Sequence, residues 1–426
     1  TAVLMLIVGN TMFGQACDPN DSTTMGPGSG NDVFYSLKKA YTTGNGTVKS
    51  ESNTNWHLAF SVLGSQFPNN PGIGVTVRVN SPNGENPQAG TSGCLIKMIP
   101  GANFSNWSNL DTTGLYALPE LVDNDSTWNL SALTAGYKAS DPFNFIWGNY
   151  NMTTHTLTGT KVYVLYNPTQ NWYKKLFINS LVYDTVWNFT ISNLDNSDSN
   201  AVKINKNDYK FRNYVYYNAV NNTLIDREPD NRTWDLLWTK YRGLVPLGQV
   251  KVPYTVTGVL QNIGVSVAQN NGKKCNEVWL GSKTAQASNV ISTIGYDWKT
   301  FTGTGYAITD TFVYFVYAKD THTYKMSMVS YTGGSLSKTV LSFYETLRID
   351  SKQIQTIGVY PNPVNNVVNI QTDDQVQSIE VYDVFGKKVA SVEQAQEIQL
   401  GNLASGVYTL IVTTDTGLYQ QKIIKE

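Results

Sequence analysis

The chain has 426 residues, of which 31 are basic and 32 acidic, for a formal net charge of −1; charged residues make up 15% and aromatics 12%. Balanced charge excludes a polyanion-binding face, so nucleic acid is not an expected partner. The 43 Asn and 34 Gly disfavour helix while Tyr, Trp, Val and Thr suit strands, so the chain reads as all-β, in two or three domains.

In chain order, the first feature is the apolar run Ala2-Val3-Leu4-Met5-Leu6-Ile7-Val8, followed by small residues Gly14 and Ala16 just before Cys17. This is the pattern of a secretory signal remnant over 1–16, with cleavage before Cys17. Seven apolar residues fall short of the roughly 20 a membrane span needs, so no transmembrane segment is expected. A new N-terminal Cys17 raises lipidation as a question, although Gly14 and Gln15 fit the usual lipid-attachment pattern poorly. Three cysteines permit at most one internal disulfide, and a Cys94–Cys275 pairing stays open.

Aromatic blocks then recur. Val33-Phe34-Tyr35-Ser36-Leu37 is followed by Trp56-His57-Leu58-Ala59-Phe60, and Tyr214-Val215-Tyr216-Tyr217-Asn218 by Trp234-Asp235-Leu236-Leu237-Trp238. Alternation places Trp56, Leu58 and Phe60 on one strand face, as it does Trp234, Leu236 and Trp238. Later, Ile146-Trp147-Gly148 precedes Val162-Tyr163-Val164, and Ile294-Gly295-Tyr296-Asp297-Trp298 precedes Val313-Tyr314-Phe315. Tyr163 to Lys174 and Tyr314 to Lys325 are both 11 residues, each enclosing polar turn chemistry, which predicts a hairpin in each copy. The repeats are expected over 31–195 and 208–346, with hairpins and long loops filling 61–145 and 242–293.

These blocks, in this order, resemble the HmuY-like family of secreted haem-binding β proteins of Bacteroidetes, as two tandem units. The resemblance implies β-rich units and haem as a candidate ligand. His57 departs from it, standing where the second copy supplies Asp235.

After Gln353 aromatics thin out and short strands are expected near 357–360, 367–370, 379–383, 407–412 and 420–424, a small Ig-like β-sandwich over 354–426. Pro361, Asn362 and Pro363, then Tyr382, Asp383 and Gly386, then Gly406 and Tyr408, and the basic tail with Lys422 and Lys425 resemble the type A sorting domain of the type IX secretion system. That resemblance implies the type IX machinery as a partner and a final location outside the cell, at its surface.

No catalytic constellation stands out, and a non-enzyme is expected. His57, His155 and His322 are isolated, without His-Glu-x-x-His or Gly-x-Ser-x-Gly. Asp226-Arg227-Glu228-Pro229-Asp230 reads as a solvated loop rather than as a glycosidase carboxylate pair. Asp123-Asn124-Asp125 and Asp195-Asn196-Ser197-Asp198 do not continue as calcium loops. Haem capture needs a His or Met donor over an aromatic cleft, and Met152 and His155, in the loop before Val162, are the candidate cofactor-binding pair. Met326 and Met328 share a strand face that suits core packing. The expected function is a secreted surface protein that binds haem or another small ligand; the alternative is an adhesin or structural protein contacting glycans or cells.

Overall fold

The computed structural model describes residues 17–64, 73–80, 93–167, 169–278, 285–346, 358–372, 375–383, 387–414 and 418–426. The signal remnant expected over 1–16, and Gly386 of the sorting motif, lie outside the described residues. The chain divides into two compact units, Thr1–Leu347 and Arg348–Glu426.

In the larger unit the aromatic blocks form strands Asn31–Tyr35, Leu58–Ser61, Tyr214–Asn218 and Leu236–Leu247. Their partners lie across the repeat. Leu236, Leu237 and Trp238 stand opposite Tyr35, Phe34 and Val33, while Leu58, Ala59 and Phe60 stand opposite Tyr217, Tyr216 and Val215. The first strand of each repeat thus pairs with the second strand of the other, and segments 31–195 and 208–346 interlock within one compact unit. Near-continuous burial explains the exchange: both faces of Asn31–Tyr35 and Tyr214–Asn218 are covered, so each strand needs core on two sides.

Three main cores result. Leu58 and Phe60 join a core of mainly first-half residues together with Val215 and Tyr217, and Leu236 and Trp238 one of mainly second-half residues together with Val33 and Tyr35. Trp56 and Trp234 break the expected alternation: the strands begin at Leu58 and Leu236, and both tryptophans turn into a third core at the seam, with Phe34, Trp128 and Tyr216.

The departure at His57 has a structural reason. The Asp235 carboxylate accepts from the Leu37 amide at 2.8 Å, and His57 Nδ1 accepts from the Ala219 amide at 3.0 Å. The strand register makes Leu37 and Ala219 counterparts. One acceptor has replaced another at the same exchanged-strand end, and burial lowers the His57 imidazole to about 4, which keeps Nδ1 free to accept.

The two spaced hairpins form as expected, Val162–Asn167 with Trp172–Val182 and Val313–Tyr317 with Thr323–Tyr331. Each buries a lysine beside its strand partner. Lys175 donates to the Trp107 carbonyl at 2.6 Å, and Lys325 to the carbonyls of Cys275 and Val278 at 3.2 and 3.3 Å. A Cys17–Cys275 disulfide ties down the N-terminal segment, while Cys94 is free and buried. Cys275 therefore does not pair with Cys94, and the Cys17 sulfur is not open to lipidation in this state.

The seam is locked by charge. Arg227 donates to Asp32 at 2.7 Å and to the carbonyls of Glu51 and Ser52, both at 2.9 Å. Asp32 also accepts from the Thr239 hydroxyl at 2.6 Å. With Arg227 and Asp32 side chains only 1% and 3% exposed, neither has water to replace its partner.

The smaller unit is a two-sheet sandwich, Gly358–Tyr360, Val367–Gln371 and Glu397–Gln399 facing Lys388–Glu393, Val376–Tyr382, Gly406–Thr414 and Leu418–Lys425. Its core is drawn from its own residues, among them Val368, Ile379, Leu410 and Ile423.

Replacing Asp32 by Ala leaves a buried guanidinium without its counter-charge, a loss of about 3–5 kcal/mol. All ten tryptophans lie in the larger unit, so the Asp32→Ala variant is expected to unfold at markedly lower urea when followed by tryptophan fluorescence.

Candidate functional site

Hairpin Gly148–Asn151/Thr156–Gly159 and the turn after strand Trp172–Val182 meet at one end of the first-half core. Between them lies a cavity of about 250 Å³ lined by Val75, Phe145, Tyr150, His155, Leu157, Leu181, Tyr183 and Asp184. The apolar floor comes from the core, and the rim from the two turns. His155, Tyr183 and Asp184 all have left-handed backbone, with φ of 49°, 48° and 49°. Such values are uncommon outside glycine and mark turns that the surroundings hold in place. The Asn151 side chain does this on one side by accepting from the Thr153 and Thr154 amides at 2.8 and 3.0 Å. The Tyr183 amide donates to the His155 carbonyl at 2.9 Å, joining the two turns.

The polar groups of the rim are oriented. His155 Nδ1 lies 2.8 Å from the Tyr150 hydroxyl, which leaves Nε2 as the free ring nitrogen. Asp184 accepts from Lys206 at 2.6 Å, and Lys206 also donates to the Gly74 and Leu63 carbonyls at 2.6 and 3.1 Å. Burial lowers the Lys206 ammonium, and Asp184 opposes the shift, so the buried lysine fixes the carboxylate at the rim.

At the matched place the second repeat carries a larger side chain. Its long strand has a bulge between Met328 and Ser330, matching the bulge between Ile178 and Ser180. That makes Tyr331 the counterpart of Leu181. The Tyr331 ring packs edge-on to Trp298 at 5.7 Å and to Tyr306 at 4.9 Å. A tyrosine ring thus stands in one copy where the other has a leucine.

Of the residues singled out in sequence, His155 lines the cavity, but Met152 is 65% exposed and is not part of its wall. Met326 and Met328 are core residues. His322 pairs with Glu345 at 2.5 Å on the opposite repeat's hairpin. The 226–230 segment is not a solvated loop throughout: Arg227 and Glu228 are buried. Glu228 accepts from the Asn213 amide at 2.6 Å, the Tyr214 amide at 3.1 Å and the Tyr216 hydroxyl at 2.7 Å. Asp123 is a structural acceptor for the Val79 and Ala132 amides, both at 2.8 Å, and Asp198 pairs with Lys174. Tyr183 and Asp184 were not flagged by sequence; the only local signal was the polar Tyr-Asp-Thr turn between two apolar strands.

Other concavities are less suited to a ligand. A seam cleft beside Trp56, Arg78, Trp128 and Arg242 holds only about 60 Å³. A basin of about 510 Å³ beside Lys38, Lys39, Arg232 and Lys319 has no aromatic wall among its described lining residues.

The sorting-motif residues sit at turns and strand ends of the smaller unit. Asn362 donates to the Lys422 carbonyl and accepts from the Ile424 amide, both at 2.9 Å, clipping the Pro361–Pro363 turn to the last strand. Tyr382 donates to Glu380 at 2.9 Å, Asp383 accepts from the Lys387 amide at 3.0 Å, and Tyr408, two residues after Gly406, donates to the Ala404 carbonyl at 2.8 Å. Lys425 is buried, whereas Lys422 is exposed.

These features define an all-β exported protein with a separate C-terminal sandwich. A family model described as a secretion system C-terminal sorting domain matches residues 358–426. Among curated proteins, the chain is similar to an ulvan lyase, NLR42, of Nonlabens ulvanivorans, at 32% identity over 85 residues that cover 18% of this chain and 16% of the lyase. The protein therefore carries a type IX sorting domain and is secreted to the cell surface. No helix among the described residues is long and apolar enough to cross a membrane.

Two outcomes follow from this geometry. Burial raises the Glu228 carboxyl to about 7 from an ordinary value near 4.5. Folded protein then holds this proton more tightly than unfolded, so its contribution to stability is lost as pH rises from about 4.5 to about 7. His57, lowered to about 4, slopes the other way over the acid part of that window. Urea midpoints of Glu228→Gln and the parent protein at several pH values are expected to diverge with rising pH, the variant being the more stable above neutrality. For the second, a chain ending before Gly358 is expected to remain in the periplasm, as read by surface labelling and fractionation.

Proposed function

We propose that the protein is a non-catalytic cell-surface binding protein whose His155 pocket holds a small ring-shaped ligand, such as one sugar unit of a surface glycan. The observation carrying this reading is the cavity of about 250 Å³, apolar at its floor and rimmed by Tyr150, Tyr183, His155 and Asp184. The C–H face of a pyranose packs on aromatic rings, while its hydroxyls need a few fixed polar groups at the edge, which Asp184 and the Tyr150–His155 pair supply. Hydrolysis would call for two carboxyls, and Asp184 is the single carboxylate among the described lining residues. The short, partial similarity to an ulvan lyase covers too little of either chain to bring that enzyme's activity here.

A second reading is haem, favoured by one detail. A ligating imidazole is oriented by a hydrogen bond at its other nitrogen, and His155 has Nδ1 so engaged. Against it, the cavity is below the roughly 300–1,000 Å³ of pockets that enclose larger ligands, and Met152 supplies no second donor from the wall.

Leu181→Tyr reproduces in the first repeat what Tyr331 does in the second. On a glycan array the parent protein is expected to bind at least one glycan, with affinity falling about tenfold or more in Leu181→Tyr and Tyr183→Ala. A haemin titration giving a Soret shift that His155→Ala abolishes would select the second reading. No glycan binding and no Soret shift would overturn both.

A further inference from the structure

Strand Leu236–Leu247 pairs with Asn31–Tyr35 only through Leu236, Leu237 and Trp238. Beyond Trp238 its strand partner among the described residues is Val250–Gln261, so the distal part is, among those residues, a two-stranded ribbon ending at the Gly248 turn. Its composition is unusual: residues 243–254 contain one charge, Lys251, and no acidic residue occurs between Asp235 and Glu277.

Directly opposed residues share a face of such a ribbon. The pairs Leu247↔Val250, Val245↔Val252 and Gly243↔Tyr254 give one wholly apolar face. At its outer end Leu247 and Val250 are 65% and 60% exposed, and Tyr254 nearer the body is 43% exposed. Lys251, exposed, points to the other face beside Pro246. An apolar tip, a lysine one step behind and a tyrosine at the base are ordered as a membrane interface is, from acyl chains through headgroups to water.

The edges argue against another strand as the occupant. Pro246 pairs with Lys251 and Pro253 with Leu244, two positions of the same pleat parity. A proline within a paired antiparallel strand sits where its nitrogen faces outward, so each free edge of the ribbon lacks a donor in the middle of its run. This blunts addition of a second chain; the apolar face itself packs on the seam core at Val245 and is exposed at its outer end, at Leu247 and Val250.

We infer that ribbon 243–254 docks on a bilayer surface bearing anionic phospholipid, with Leu247 and Val250 entering the acyl boundary and Lys251 meeting the phosphates. Lys251 at the exposed end gives the charge complementarity, the Asp125 carboxylate lying at the buried base beside Gly243, and secretion to the cell surface brings the ribbon to a membrane.

The test is co-sedimentation of the full chain with vesicles of phosphatidylcholine alone and of phosphatidylcholine mixed with phosphatidylglycerol. Expected is binding to the mixed vesicles that weakens with salt, falls about tenfold or more in Leu247→Ser/Val250→Ser, and loses its anionic preference in Lys251→Glu. Circular dichroism of the variants checks that each is folded. Absence of parent binding, or equal binding by the folded double variant, would overturn the inference. So would a parent dimer in sedimentation velocity that the double variant abolishes, which would assign the face to a second copy.

Discussion

The larger unit depends on one buried ion pair. Arg227 reaches Asp32, the carbonyls of residues 51 and 52, and through Asp32 the hydroxyl of Thr239. These groups come from both repeats: Asp32 and Thr239 lie on two strands that exchange partners at the seam, and residues 51 and 52 on strand Thr47–Ser52, which pairs with Asn31–Tyr35. A buried guanidinium needs its charge countered; here Nη1 and Nη2 are engaged while Nε has no partner among the described residues, and these contacts bring together groups that only the exchanged arrangement places side by side. Alternative pairings, in which each repeat closes on itself, would separate Arg227 from Asp32. The ion pair is thus a device for choosing among similar β pairings more than a source of net stability.

Much of the fold was legible in the sequence because polar turn chemistry between short apolar runs marks strands and hairpins directly. The hairpins at 162–182 and 313–331 and the small C-terminal sandwich follow from that signal. Strand exchange was not legible, since period-two alternation fixes which face is buried and says nothing about which strand lies alongside. The Asp226–Asp230 segment misled for a related reason. Its charges suggest water, yet Arg227 finds its partner 195 residues away, and local composition carries no trace of that. His155 was visible as a lone imidazole in a turn; Tyr183 and Asp184 were not, because they come from a different hairpin and enter the rim through left-handed turns.

Separation of the two units fits the division of labour between them. The C-terminal sandwich closes its core from its own strands, and Asn362 fastens the proline turn to the last strand. The motif positions are therefore split between those that hold the sandwich, such as Asn362 and Tyr408, and an exposed one, Lys422.

The contrast between Leu181 and Tyr331 carries the functional argument furthest. Both repeats keep the tryptophan, the short hairpin and the bulge at matched places. In the second repeat the Tyr331 ring at this place packs against Trp298 and Tyr306. The first repeat instead leaves a cavity of about 250 Å³ and surrounds it with residues in left-handed backbone. Leu181, where the second repeat has Tyr331, and the three left-handed residues at the rim set this end of the first repeat apart and support the proposed binding reading.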